Sequence, residues 1–556
     1  MIETIKEKIK KIIEEKYTVN INVEDGKIAD VDLSIPLFAI SKELKKNPKV
    51  IYDDLSEELM ISEVRETKFL NGFLNIYLNQ MSLSKNVITT ILVDKANYGN
   101  TDYNKNEVIA MDYSSPNIAK SFGVGHLRST MIGNAIRNLY LKTGAKVVGI
   151  NHLGDWGTQF GKMIIAYKLW GEEEKIKANP IVELQKLYVH FHDEEKNNPQ
   201  LDHMAREAFK KLEDNDPEMM TLWNWFREES LQEFMRVYDR LKVSFDSYNG
   251  EAFYNDKMDD VLKELDEKGL LTIDDGATIV NLEEFNLPPA LIKKSDGATL
   301  YITRDLAALF YRYQTYNFTQ ALYVVGNEQK LHFEQLKAVT KLMGYEFDIR
   351  HIGFGLVMVD GKKMSTRGGK FKRLEEVIEQ AVSDAKTAIT TKNPSLKDQD
   401  SVSEAVGIGA IVFNDLKNDR NLNVDFNIEN MLKFEGQTGP YLQYSSVRIS
   451  SILRESTLDV SLVDYNIFKE EHYFDVIKML ASFPQIIKRS CDSNFPSILA
   501  KFLITLSQAF NHFYGREKIV VDNKERLNSN LALITAIRYV LNEGMRILGI
   551  VALDEM

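Results

Sequence analysis

One cysteine in 556 residues, Cys491, has no second thiol to meet, so an intrachain disulfide and a thiolate zinc cage are both excluded. A chain of this kind suits a reducing compartment, and the cytoplasm is the expected location. Proline is scarce at 12 residues and glycine numbers 30, which rules out collagen-like and low-complexity architectures. No run reaches the roughly 18–20 apolar residues that a membrane span needs. The opening residues 1–17 are charged throughout and lack the apolar centre of a secretory leader. Positive charge is also in deficit. The net charge is −12, which argues against sequence-blind wrapping of nucleic acid. A local basic groove stays open, because affinity follows local phosphate contacts.

What is present is ordinary for a folded protein: 44% hydrophobic and 27% charged residues. At roughly 100–200 residues per domain, the length fits three or four domains, or one large domain with appendages. Ile5, Ile9, Ile12 and Ile13 share one face of an opening helix. Strands at 30–34 and 72–78, with helices at 36–44 and 48–60, make residues 1 to about 105 a small α/β domain. The polar, turn-rich stretch 97–106 reads as a linker.

From Val108 the pattern changes to strand 108–112, a glycine-rich turn, helix 127–141 and strand 146–150. Such a unit builds a parallel sheet by right-handed crossover. It recurs as strand 300–302, helix 305–313, strand 321–325, helix 329–342 and strand 355–359. The fold class is therefore α/β, with a doubly wound parallel sheet of Rossmann type across about 106–400 and its site at the strand C-termini. The acidic stretch at about 165–295 is too long for a loop and reads as an insertion. Residues 401–556 read as an all-helical domain.

Two short constellations carry chemistry. The first is Gly123-Val-Gly-His126, between a strand and a helix. Gly123 and Gly125 let a ligand approach the backbone, the helix start favours an anion, and Lys120 and His126 add a charge and a donor. A nucleoside triphosphate suits this arrangement; a tight turn with a capping histidine also fits the four residues alone. The second is 360–373, with six cations: Lys362, Lys363, Arg367, Lys370, Lys372 and Arg373. A mobile basic loop at a strand end can close over pyrophosphate, although a charge run by itself is more often a solvated face.

Taken together and in this order, the two segments resemble the paired signatures of class I aminoacyl-tRNA synthetases, His-Ile-Gly-His and Lys-Met-Ser-Lys-Ser. The longer blocks resemble the arginyl-tRNA synthetases specifically. These are Ser114–Lys120, Gly125–Thr130, Asn151–Gly161, Tyr301–Asp305, Glu435–Tyr444 and the ending Leu548-Gly-Ile550 with Met556 last. The resemblance covers essentially the whole chain. It implies an N-terminal domain that touches the tRNA elbow and anticodon binding from about residue 432. It implies ATP, L-arginine and tRNA(Arg) as substrates, Mg2+ held mainly through the ATP phosphates, no protein metal site, and arginine activation only with tRNA bound. A monomer is expected.

By the same resemblance Lys120, His126, Lys363 and Arg367 serve catalysis, and Gly123, Gly125, His126, Lys363, Met364 and Ser365 bind ATP. Asp112, Asn117, Tyr301, Asp305 and Gln329 bind arginine, and Tyr441 and Tyr444 touch tRNA. The chemistry is consistent, since a guanidinium is planar, permanently charged and best held by carboxylates. Two positions depart from the signatures: Gly123 replaces the first histidine and Thr366 the second lysine. Lys120 is placed to stand in for that lysine. Gly123 also motivates an alternative, a catalytically impaired paralogue that still binds tRNA.

Overall fold

Val108–Asp112 and Lys146–Ile150 are short and mostly buried, as strands covered by helices on both faces must be. In the computed structural model they pair in parallel, and Gln320–Tyr323 and Asp348–His351 complete a four-stranded sheet. Residues 2–26, 28, 31–118, 122–294, 301–359, 362–363 and 373–556 are described, without the side chains of 359, 362 and 363. Across the sheet the order is the 348, 320, 108 and 146 strands. The chain thus leaves the Val108 strand first to one side and later to the other. This reversal is the topological switch point of a doubly wound sheet, where a crevice opens at the strand C-termini. Asp112 and Tyr323, register partners, stand at that point.

The structure corrects two sequence expectations. Tyr301–Tyr316 is helical from its first residue, so no strand occupies 301–302, and Leu300 lies outside the described residues. Tyr-Ile-Thr favours strands locally, but Ile302, Leu306 and Leu309 form a helical stripe that buries against the sheet, and packing prevails over propensity. The segment 355–359 is not a core strand. Only Val357–Val359 is extended, and it pairs with Lys362–Lys363 and Val424–Asp425 in a separate three-stranded sheet. The core strand is Asp348–His351, an edge strand whose polar residues hide it from a hydrophobicity reading.

Residues 2–78 form an antiparallel sheet flanked by three helices, with Ile5, Ile9 and Ile13 buried as the helical periodicity predicts. The segment 97–106 is tied down rather than free. The buried Tyr98 hydroxyl donates to the Leu480 carbonyl, and the Asn104 amide donates to Thr143 Oγ1. The insertion contains helices from Glu173 to Leu241 and a small antiparallel sheet ending in Ala290–Lys293. Five long helices between Gln399 and Ile547 make the C-terminal part. It is fastened to the sheet layer by a fully buried ion pair, Lys142 to Glu543 at 2.8 Å. No described helix is long and apolar enough to cross a membrane.

Candidate active site

The crevice begins with a strained turn. Ser114 and Ser115 both hold left-handed backbone, at φ +71° and +46°, directly after the Val108 strand. Conformations of this kind cost about 1–3 kcal/mol each and persist only when the surroundings enforce them. Here a buried network does so. Ser114 N–H donates to Ser129 Oγ, and Ser114 Oγ lies 2.7 Å from Thr130 Oγ1 and 2.8 Å from the Tyr238 hydroxyl. The turn delivers Asn117 beside Gly154, where a Cβ would stand 2.0 Å from the Asn117 amide oxygen.

The helix Val124–Lys142 follows, and its N-terminus opens directly after Gly123. Nothing described lies within 4 Å of the position a Cβ on Gly125 would take, so a ligand can reach the backbone there. Gly123 N–H donates to His126 Nδ1 at 3.2 Å. That bond makes Nδ1 an acceptor and assigns the proton of a neutral imidazole to Nε2, which is then a donor at the helix mouth. The ring is fixed by stacking on Phe122 at 5.4 Å.

The chain that follows the second signature comes to the same place. Gly123 forms an antiparallel bridge with Arg373, and Leu374 N–H donates to the Phe122 carbonyl at 2.9 Å. The basic segment therefore leaves the Lys362–Lys363 strand and rejoins the fold against the first signature. Lys120, Met364, Ser365 and Arg367 lie outside the described residues; Lys363 is placed by its backbone alone. Arg128 ties the helix of the first signature to the stretches that precede the Val357 and Val424 strands. It is fully buried, pairs with Asp415 at 2.9 Å, and donates to the carbonyls of Gly355, Leu422 and Arg420.

An acidic group of side chains lies across the crevice. Asp305, in the second turn of its helix, receives His332 Nε2 at 2.6 Å. Burial raises its carboxyl, but the His332 hydrogen bond and charge, with His152 and Arg312, hold it below the usual carboxylate range. Glu251 is pushed up to about 7 by burial; Arg304, 3.9 Å away, opposes this, and the Asp305 and Asp155 charges add to it. Asp155 is buried, accepting from Arg227 Nε and from Ala252 N–H, each at 2.9 Å. Asp112 is already occupied: Oδ2 accepts from Arg312 at 2.8 Å and Oδ1 from Ser115 at 2.8 Å. Arg312 also donates to His152 Nδ1 at 3.3 Å, and burial holds that histidine below its ordinary range.

Among the expected arginine ligands, Asp305 and Tyr301 occupy one helix face a turn apart, with the Tyr301 ring 67% exposed rather than at a strand end. Gln329 is exposed at the start of the helix that carries His332. The sequence reading missed Glu251, Arg304, Arg312 and His332. Glu251, an acid following a Ser-Tyr-Asn-Gly turn, and Arg304, inside the Tyr301–Asp305 block, carried local signals. In the C-terminal helices, Tyr441 accepts from Asn511, while Tyr444 is exposed beside Phe434 and under the Arg448 guanidinium.

The model for the class I (R) tRNA synthetase catalytic domain matches residues 87–428, that for the DALR anticodon binding domain 442–556, and that for the arginyl tRNA synthetase N-terminal domain 1–78. An arginine–tRNA ligase of Exiguobacterium is 50% identical over 527 residues, 94% of this chain and 93% of its own. One of Streptococcus thermophilus is 50% identical over 560 residues, 100% and 99% of the two chains. The solved arginyl-tRNA synthetase of Plasmodium falciparum superposes with a TM-score of 0.82 at 26% identity, covering 100% and 99%. That of Thermus thermophilus shares the fold, with a TM-score of 0.83 at 22% identity and full coverage of both chains.

Proposed function

This chain belongs to the arginyl-tRNA synthetase family of class I aminoacyl-tRNA synthetases, and on that premise we propose how its crevice works as an arginine–tRNA ligase. ATP lies with its phosphates at the N-terminus of the Val124 helix, where the helix dipole and the His126 imidazole favour an anion. Lys120, Lys363 and Arg367 add positive charge from the flanking segments, and Met364 and Ser365 line the same nucleotide. L-Arginine enters from the acidic side. Its guanidinium pairs with Asp305 and lies beneath the Tyr301 ring, and Asn117 and Gln329 hold its α-amino and carboxylate groups. Asp112 works through Arg312 and Ser115, which its carboxylate orients.

The arginine carboxylate then attacks the ATP α-phosphorus, forming the mixed anhydride arginyl-adenylate and releasing pyrophosphate. The tRNA terminal ribose hydroxyl attacks the adenylate carbonyl, and AMP leaves. Neither step needs a protein nucleophile. Placement and stabilisation of developing charge supply the rate. Mg2+ rides on the ATP phosphates. The one grouping of metal-type ligands among the described residues, Glu470, His472 and Glu517, sits in the C-terminal helices and is neutralised by Arg526. Tyr444, with Arg448 and Tyr514 beside it, offers an aromatic and cationic surface for anticodon bases, and Tyr441 supports it through Asn511. The N-terminal domain, residues 1–105, reaches the tRNA elbow. The enzyme works as a cytoplasmic monomer and activates arginine only once tRNA is bound.

The observation that supports this reading is the Gly123–Arg373 bridge, which brings the residues following the second signature against the first signature. Relatives of about 50% identity are named arginine–tRNA ligases, and nothing favours the impaired paralogue. The test is arginine-dependent exchange of pyrophosphate into ATP, with and without cognate tRNA. Exchange appears only with tRNA; folded protein silent in both conditions overturns the assignment.

A further inference from the structure

The Asp305 carboxylate does not hang free from its helix. Its Oδ2 is held by His332 Nε2 at 2.6 Å, a side chain on the first turn of a different helix, Lys330–Leu342. Both groups are about three-quarters buried, with side chains 26% and 22% exposed, so water does not substitute for the bond on every side. His332 is itself well anchored. Its neighbour Phe333 is packed between the Tyr323 ring at 4.8 Å and the His351 ring at 5.0 Å, both on core strands. Gln329 precedes His332 by three residues, at the entry to the same helix. The His332–Asp305 bond thus ties the helix bearing the guanidinium acid to the helix entry bearing the expected amide.

A carboxylate on a second-turn position can rotate about its terminal torsion, which is broad and soft. A guanidinium reads the plane of its partner through two parallel N–H···O bonds, so rotation costs recognition as well as contact. We propose that His332 is the positioning residue of the arginine pocket: by occupying one lone pair of Asp305 Oδ2 it sets the carboxylate plane and leaves Oδ1 and the outer face of Oδ2 to the substrate fork. The groups that share this environment are His152, Arg312, Glu251 and Asp155, and among the described residues only His332 hydrogen-bonds the Asp305 carboxylate. The proposal rests on the reading of Asp305 as the guanidinium partner. It assigns His332 no contact with ATP or with the reacting atoms.

The test uses the full-length enzyme in steady-state aminoacylation with cognate tRNA, varying arginine and ATP separately, with thermal unfolding as a control. Four proteins are compared with wild type: H332A, H332Q, D305N and the double variant H332A/D305N. H332A raises the arginine KM about tenfold, with kcat and the ATP KM within about twofold. H332Q, whose amide nitrogen reaches the same place as Nε2 and donates without a ring, restores the arginine KM to within about threefold of wild type. D305N raises the arginine KM more than H332A, and the double variant is no worse than D305N, because His332 acts only through Asp305. An unchanged arginine KM in H332A, or additive effects in the double variant, overturns the positioning role. An unchanged arginine KM in D305N overturns the pocket itself, a separate result. If H332A proves too unstable to assay, H332Q decides: failure to retain near-native arginine KM in a protein of native melting temperature counts against the proposal.

Discussion

Replacing Arg128 by methionine removes the tie between the first signature's helix and the stretches before the Val357 and Val424 strands while keeping most of its aliphatic volume. The Arg128 side chain is 2% exposed and its partner Asp415 7%. The substitution deletes the 2.9 Å bond to Asp415 and donors to three carbonyls, Gly355 at 2.7 Å, Leu422 at 2.9 Å and Arg420 at 3.3 Å. Breaking one side of a buried ion pair costs about 3–5 kcal/mol, and stranding buried acceptors about 1–3 kcal/mol each before water reaches them. Asp415 escapes part of this by taking a proton, since burial already raises its carboxyl and only Arg128 opposes the rise. The expected net loss at pH 7 is about 4–6 kcal/mol, a large part of the stability of a typical domain. It is read as a shift of the urea midpoint of the full chain. The sign with pH follows from the raised folded-state carboxyl. R128M is least disturbed below the unfolded value near 4, and loses stability as pH rises through the folded value. Pairing R128M with D415L replaces the whole ion pair by apolar groups and recovers about 2–4 kcal/mol. The Gly355 and Leu422 carbonyls precede the paired strands Val357–Val359 and Val424–Asp425, so kcat falls more than arginine affinity. An R128M enzyme within 1 kcal/mol of wild type, or a double variant no more stable than the single, refutes the reasoning.

Three further outcomes follow from named contacts. Glu251, pushed up to about 7, keeps its proton in the folded state at pH values where the unfolded chain has lost it. Stability therefore declines as pH climbs from about 4.3 to 7, and E251Q is more stable than wild type at pH 8 by up to about 3 kcal/mol. Arginine binding draws that proton off, so calorimetry at pH 6.5 in buffers of different ionisation enthalpy detects proton release in wild type and none in E251Q. Gly154→Ala places a Cβ 2.0 Å from the Asn117 amide oxygen, so the amide is displaced and the arginine KM rises at least fivefold with the ATP KM unchanged; an unaltered arginine KM removes Asn117 from the pocket. Tyr444→Ala removes one stacking surface, worth about 1–3 kcal/mol per base, and raises the tRNA KM about fivefold or more while leaving the arginine and ATP constants alone. Equal tRNA KM values place the anticodon elsewhere.

The sequence by itself determined what depends on neighbours within a few positions. A strand of apolar residues, a Ser-Ser-Pro-Asn turn and a glycine-opened helix start were all legible at 108–126, because turn strain, capping and the helix dipole are local. The isoleucine face of the opening helix was legible for the same reason. Tertiary structure decided the rest. Asp112 read as an acid for the arginine substrate, and only the fold shows it paired with Arg312, 200 residues further on. Arg128 read as a helical residue inside a family block, yet Asp415, 287 residues away, makes it one half of a buried ion pair. The Asp348 strand was invisible because an edge position tolerates charge, and the Tyr301 strand was illusory because burial of Ile302, Leu306 and Leu309 outweighs local preference. Charge pairing and burial are properties of distance in space, and the chain order says nothing about which cation a carboxylate will meet.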